Sequence, residues 1–233
     1  MFGLDNTIAH LSTGSSVAVV ILVAALLGLR HATDPDHMAA VTTLVASGRD
    51  RVARQAARLG AFWGLGHALS LVVFGIPVVL FQRYLPELAQ RCAETAVAAL
   101  IVFLALRLLV RWRHGYFDLH PHVDEDQNHT HKVRTPLGAF AIGLVHGTGG
   151  SAGVGVLLLA AIPSTAVALA ALIVLAIFTA VSMTIVTTGF GLTLSRGPVA
   201  AVFTTAAPAL GCLSLAFGIW YAFAAWSVAP YPF

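Results

Sequence analysis

Seven consecutive residues, His31-Ala32-Thr33-Asp34-Pro35-Asp36-His37, set two imidazoles and two carboxylates inside a stretch whose surroundings are strongly apolar. Imidazole nitrogen combined with carboxylate oxygen suits nickel, cobalt, zinc or iron, and the lack of a nearby cysteine argues against Cu(I). Ionisable groups within a membrane-spanning segment are costly and mark ion or substrate pathways. The expected chemistry is reversible binding of a divalent transition metal, with His31, Asp36 and His37 as ligands.

The proline decides how these groups are presented. An unbroken helix through Pro35 would leave the carbonyl of His31 without its partner, because proline has no N–H. The residue before a proline is also pushed away from helical dihedrals. One helix is therefore expected to end near 31–33 and another to start at Pro35, with Asp34 as N-cap and Pro35 in the first position. At membrane depth such a break is tolerated only when it is buried in protein or lines a cavity. The carbonyl end of the first half-helix carries partial negative charge and favours a cation. On a continuous helix His31, Asp34 and His37 would share one side and Asp36 would point elsewhere; the break frees Asp36 to turn inward. Arg30 beside the two aspartates leaves a local formal charge of −1. Asp34 suits capping and ligation equally. The competing arrangement has Asp34 only as a cap, Arg30 paired with Asp36, and the histidines bonded to buried partners.

His67 and His146 are the remaining histidines within apolar segments. Each can bind the same ion or hydrogen-bond a neighbouring helix. Gly143, Gly147, Gly149, Gly150, Ser151, Gly153 and Gly155 form a run of small residues of the kind that lets helix backbones approach closely. That run is expected to bring its helix against the broken first one, delivering His146. The polar 113–135 stretch holds His114, His120, His122, His129 and His131 with Asp118, Asp124, Glu125 and Asp126. Such a tract either collects metal loosely or serves as a solvated linker. Glu87 and Glu94 fall near a span end, where solvation at the interface is expected.

The elements that must position these groups are membrane helices. The chain has 233 residues, 58% hydrophobic and only 10% charged, against roughly 25% charged for a soluble domain. Six apolar segments reach spanning length, at about 17–47, 60–81, 92–112, 136–161, 164–194 and 206–227. Arg49, Arg51, Arg54 and Arg58 occupy one connection, Arg113, Lys132 and Arg134 another, and Arg196 a third, while the intervening connections are poor in basic residues. Those loops are expected to be cytoplasmic and both termini outside. The leading residues lack Lys and Arg, so no cleaved signal peptide is expected. Cys92 and Cys212 are isolated and indicate neither a disulfide framework nor a zinc cluster. Gly28-Leu29-Arg30-His31-Ala32-Thr33 is echoed by Gly143-Leu144-Val145-His146-Gly147-Thr148. The expected fold is thus a single all-α transmembrane domain of six helices. It divides into a first three-helix half, 1–112, the His-rich cytoplasmic loop 113–135, and a second half, 136–233. Three spans per half would make the echo an inverted repeat, a common transporter plan; chance similarity between Gly-rich helices is the alternative.

The motif Arg30-His31-Ala32-Thr33-Asp34-Pro35-Asp36-His37 resembles the His-x4-Asp-His signature of the nickel/cobalt transporter family. Leu65-Gly66-His67, with Ser70 nearby, is similar to a second pattern of that family. The resemblance implies import or export of Ni2+ or Co2+ and places His67 in the same pathway. It is looser in the second half, where Gly143–Gly150 stands in place of an acidic motif and no Asp or Glu follows Asp126. The chain there looks more like the short six-span relatives described as urease-accessory or nickel-transport-like proteins. The combined expectation is a secondary transporter, not an enzyme, in the cytoplasmic membrane. Uptake of Ni2+ or Co2+ is favoured, through His31, Asp36, His37, Asp34, His67 and His146, supported by Arg30 and Pro35. No cofactor beyond the transported ion is expected, and partners would be membrane lipid and a metallochaperone or a urease or hydrogenase maturation system, without nucleic acid. Efflux by the same fold and an intramembrane metalloenzyme are the alternatives.

Overall fold

The computed structural model describes residues 17–45, 52–81, 86–114, 135–149, 151–194 and 197–230. Among these every regular element is a helix: α1 (Val17–His31), α2 (Pro35–Val45), α3 (Val52–Phe81), α4 (Glu87–Arg113), α5 (Pro136–His146), α6 (Ser151–Ala160), α7 (Thr165–Leu194) and α8 (Gly197–Ala225). The histidines of the 113–135 stretch other than His114, which is exposed, lie outside the described residues, as do the leading residues and Arg196.

Leucine lies both outside and inside this bundle. On α3 Leu65, Leu69 and Val73 are among the exposed side chains, whereas Trp63, His67 and Ser70 are buried. With lipid outside, exposed leucine carries no penalty, and small and polar residues share the interhelical contacts with apolar ones. The main packing pairs are α3 with α7, α3 with α5, α4 with α8, and α1 with α7. Gly28 shows how close one of these is. A Cβ there would lie 2.7 Å from the Leu175 carbonyl oxygen on α7. One core joins Val20 and Ala24 of α1 to Leu71 and Val78 of α3, Leu159 of α6 and Leu172 of α7. A second surrounds Trp63, with Ala32, Val41, Leu104, Ala139 and Met183. A third joins Val97 and Ile101 of α4 to Tyr221 of α8.

Four helices, α3, α4, α7 and α8, are long and apolar enough to cross a membrane, and the pair α1–α2, bent by 46°, makes a fifth crossing when taken as one span. The chain is therefore a multi-pass, membrane-type helical protein. The first apolar segment is interrupted where the sequence places the break. The segment 136–161, expected as one span, is also interrupted. Its first part, α5, has 11 residues, about 16 Å of helix and only half of a bilayer core of about 30 Å.

The two interruptions are closed by the same device. At the first, the Thr33 hydroxyl donates to the Arg30 carbonyl at 2.6 Å, and the Thr33 amide donates to the same oxygen at 2.9 Å. At the second, the Thr148 hydroxyl donates to the Val145 carbonyl at 2.7 Å, joined by the Thr148 amide at 3.3 Å. In both cases a threonine two places after a histidine caps the carbonyl just before that histidine, satisfying a group that the helix end leaves orphaned.

Candidate metal centre

Three elements beside the two breaks supply the site. His31 is the last residue of α1, Asp36 and His37 open α2, and His146 closes α5. His67 comes from the middle of the continuous helix α3. All five are buried, none more than 7% exposed. Pro35 begins α2, and the Met38 amide donates to the Asp34 carbonyl at 3.0 Å, so Asp34 stands at the N-cap as expected. The His31 carbonyl takes the Asp34 amide at 3.1 Å in place of the N–H that proline cannot supply.

The delivery of His146 differs from expectation. Its helix packs on α3 rather than on the broken first helix. A Cβ on Gly143 would overlap the Trp63 carbonyl, and one on Gly147 would sit 2.7 Å from the His67 carbonyl. Gly66 makes the reciprocal approach, since a Cβ there would overlap the Phe140 carbonyl. Ser70 tightens this crossing by donating to the Leu144 carbonyl at 2.7 Å. The small residues thus set the distance between α3 and α5, and α5 then presents His146 to α2.

Asp36 is the hub. Its Oδ1 accepts from His37 Nδ1 at 3.0 Å, and its Oδ2 accepts from His146 Nε2 at 3.1 Å. A second pair lies alongside, with His31 Nε2 and His67 Nε2 sharing a hydrogen bond of 2.9 Å. The ring centroids of His37 are 4.4 Å from those of His31, 5.0 Å from His67 and 4.3 Å from His146. Two sets of donor atoms each fall within 4.8 Å of one another: His31 with His37 and His67, and Asp36 with His37 and His146.

Asp34 belongs to neither set. Its Oδ2 faces His31 Nδ1 at 3.4 Å, and its Oδ1 lies 3.9 Å from Arg30, so Arg30 reaches Asp34 and not Asp36 among the pairs seen. A carboxylate behind one ring nitrogen fixes the orientation of an imidazole whose other nitrogen is left to ligate. The candidate ligands read from the sequence are thus brought together as His31, Asp36, His37, His67 and His146, with Asp34 one step behind.

Several polar atoms in the centre are buried without a hydrogen-bond partner, namely His37 Nε2, His67 Nδ1, His146 Nδ1 and Trp63 Nε1. Burying such groups unpaired costs free energy, and their concentration here leaves several nitrogens available to a polar occupant. Trp63 is the residue that the sequence reading missed. Its ring lies 5.7 Å from both His37 and His146 and forms a wall of the centre. The available signal was its place four residues before His67, on the same helix face. Glu94 also departs from expectation. It is buried rather than solvated at the interface, accepts from Gln90 Nε2 at 3.0 Å, and has its backbone against Gly149. Glu87 is exposed and pairs with Arg91. Cys92 and Cys212 are both free thiols on exposed positions.

No protein-family model and no solved structure matches the chain. Among curated proteins it is similar to a urease accessory protein, UreH, from Bacillus sp. (strain TB-90), with 28% identity over 137 residues. The match takes in 57% of this chain and 59% of the relative, so the chain spans well under two thirds of that protein's length. The relative is named for an accessory role and not for a catalysed reaction.

Proposed function

We propose that this protein is a secondary transporter that carries Ni2+, and by the same chemistry Co2+, into the cell across the cytoplasmic membrane. The observation that carries the reading is the gathering of four imidazoles and one carboxylate, from α1, α2, α3 and α5, into one buried cluster of two adjoining donor sets beside two helix interruptions. Nitrogen and carboxylate donors without thiolate match this class of ion. Nickel is further supported by the His-x4-Asp-His motif and by the likeness to a urease accessory protein, which also suggests a urease maturation system as the recipient. In the centre His31, Asp36, His37, His67 and His146 would replace part of the ion's water shell, while Asp34 orients His31.

The reading includes six crossings arranged as an inverted 3+3 repeat, with α1–α2 and α5–α6 each counted as one broken span and both termini outside. The paired threonine caps support it. So does the packing: Gly28 abuts α7, and its counterpart Gly143 abuts α3, which is the exchange expected when α1 corresponds to α5 and α3 to α7. Alternating access would come from one half rocking against the other about these breaks. An ion or proton gradient would supply the energy, since the sequence has no Gly-x4-Gly-Lys-Ser/Thr nucleotide loop.

The test is accumulation of radiolabelled Ni2+ and Co2+ in cells expressing wild type or His37→Ala. Accumulation above the empty-vector control that is lost in His37→Ala is expected. Accumulation below control would mean efflux. Wild-type cells identical to control for every divalent metal would overturn the transport reading.

A further inference from the structure

We infer that the centre offers one ion two alternative positions on either side of the His37 ring, and that His37 passes the ion between them. The inference rests on the metal-transport reading above and deepens it. Two donor sets meet at His37 and share no other residue: His31, His37 and His67, and Asp36, His37 and His146. The hydrogen bonds divide along the same line. His31 is bonded to His67 and backed by Asp34, while Asp36 is bonded to His37 and His146.

The His37 ring straddles the division. Its Nδ1 is engaged by Asp36, and its Nε2 is buried with no partner. The geometry assigns Nε2 to the position with His31 and His67, and Nδ1 to the position with Asp36 and His146. A neutral imidazole has a single lone pair to give, so His37 completes one set at a time and the two positions are not filled together. While Nε2 ligates, the ring proton sits on Nδ1 and is donated to Asp36. As the ion moves to Nδ1, that proton leaves Nδ1 and Nε2 is protonated in its place. The positions differ in chemistry. The first offers three uncharged nitrogens, and the second offers two nitrogens and a carboxylate. An ion that must be held and then released gains from two sites of differing character, because each ligand exchange replaces one partial shell with another and never leaves the ion bare. His37 alone belongs to both shells, and its partners come from different breaks, His31 from the first and His146 from the second.

The test uses Co2+ as a spectroscopic probe on the full-length protein in lipid nanodiscs, with His67→Gln and His146→Gln compared with wild type. Each substitution is repeated as Ala, and folding is followed by circular dichroism. One Co2+ per wild-type chain is expected. His67→Gln and His146→Gln should each still bind one Co2+, with visible spectra that differ from each other, mixed nitrogen–oxygen in the first and all-nitrogen in the second. In reconstituted vesicles both should lose at least about tenfold of the uptake rate, whereas His37→Ala should lose binding altogether. Two Co2+ per wild-type chain, or identical spectra from the two variants, would overturn the two-position arrangement while leaving metal transport intact. A wild-type protein that binds no Co2+ would overturn the transport reading and this inference with it.

Discussion

Asp36 and His146 are 110 residues apart in sequence, yet Oδ2 of the carboxylate accepts from Nε2 of the imidazole at 3.1 Å. This one contact joins the two helix interruptions, since Asp36 opens α2 after the first and His146 ends α5 before the second. A fully buried carboxylate in an apolar bundle needs compensation from all sides, and Asp36 receives it from His146 on one oxygen and His37 on the other.

Replacing Asp36 by asparagine keeps the shape and removes the charge. One acceptor oxygen becomes an amide that meets an N–H, so a contact on one side turns repulsive. The expected result is a loss of Ni2+ affinity of at least about 100-fold, exceeding the 10–100-fold typical of groups that only support a ligand. Equilibrium dialysis with radiolabelled Ni2+ measures it, and unchanged affinity would remove Asp36 from the centre.

Asp34 predicts a different pattern. Asparagine caps a helix as well as aspartate does, so Asp34→Asn should leave the start of α2 and the melting temperature nearly unchanged. It withdraws the charge 3.4 Å behind His31, and Ni2+ affinity should fall by about 10–100-fold. Asp34→Ala should lose the same affinity. Dialysis and thermal melting in parallel separate orientation from capping, and a large drop in melting for Asp34→Asn would contradict the orienting role.

Trp63 tests the wall of the centre. Its indole Nε1 is buried without a partner, so Trp63→Phe removes an unsatisfied donor and should be neutral or slightly stabilising. Trp63→Ala empties a fully buried site and should cost about 3–5 kcal/mol. Melting of purified variants distinguishes the two outcomes, and equal effects would mean that the ring's volume is not what the core requires.

The first break was legible because its cause is local. Pro35 lacks an N–H, and that fact alone locates the end of α1, the cap at Asp34 and the inward turn of Asp36. The second break was not legible. Gly147, Thr148 and Gly149 keep the apolar character of the segment, so hydropathy runs through them without a mark. What interrupts the helix there is a threonine cap and the backbones of α3 and α4 pressing on the glycines, and neither is visible in a linear pattern. The burial of Glu94 escaped for the same reason. Its place near the end of its span suggested solvent, but Gly149, in the second break, covers its backbone. His146 was found through its echo of His31, although the helix it packs against was not.

The glycines at the α3–α5 crossing carry the last prediction. Gly143 and Gly66 have no room for a methyl, because each Cβ would overlap a carbonyl oxygen of the opposite helix, Trp63 and Phe140 respectively. Backbone cannot move aside as a flexible side chain can. Gly143→Ala and Gly66→Ala should therefore separate α3 from α5, costing about 1–3 kcal/mol and drawing His67 and His146 away from Asp36 and His37. Ser70→Ala loosens the same crossing without a clash and should cost only about 0.6 kcal/mol, the mean for interhelical hydrogen bonds in a membrane. Gly189 is the control, with nothing within 4 Å of an added Cβ, so Gly189→Ala should be neutral or gain up to about 1 kcal/mol from helix propensity. Melting in detergent ranks the four variants, and Ni2+ dialysis tests whether affinity follows the order. If Gly143→Ala bound Ni2+ as tightly as Gly189→Ala, the close approach of α3 and α5 would not be what assembles the centre.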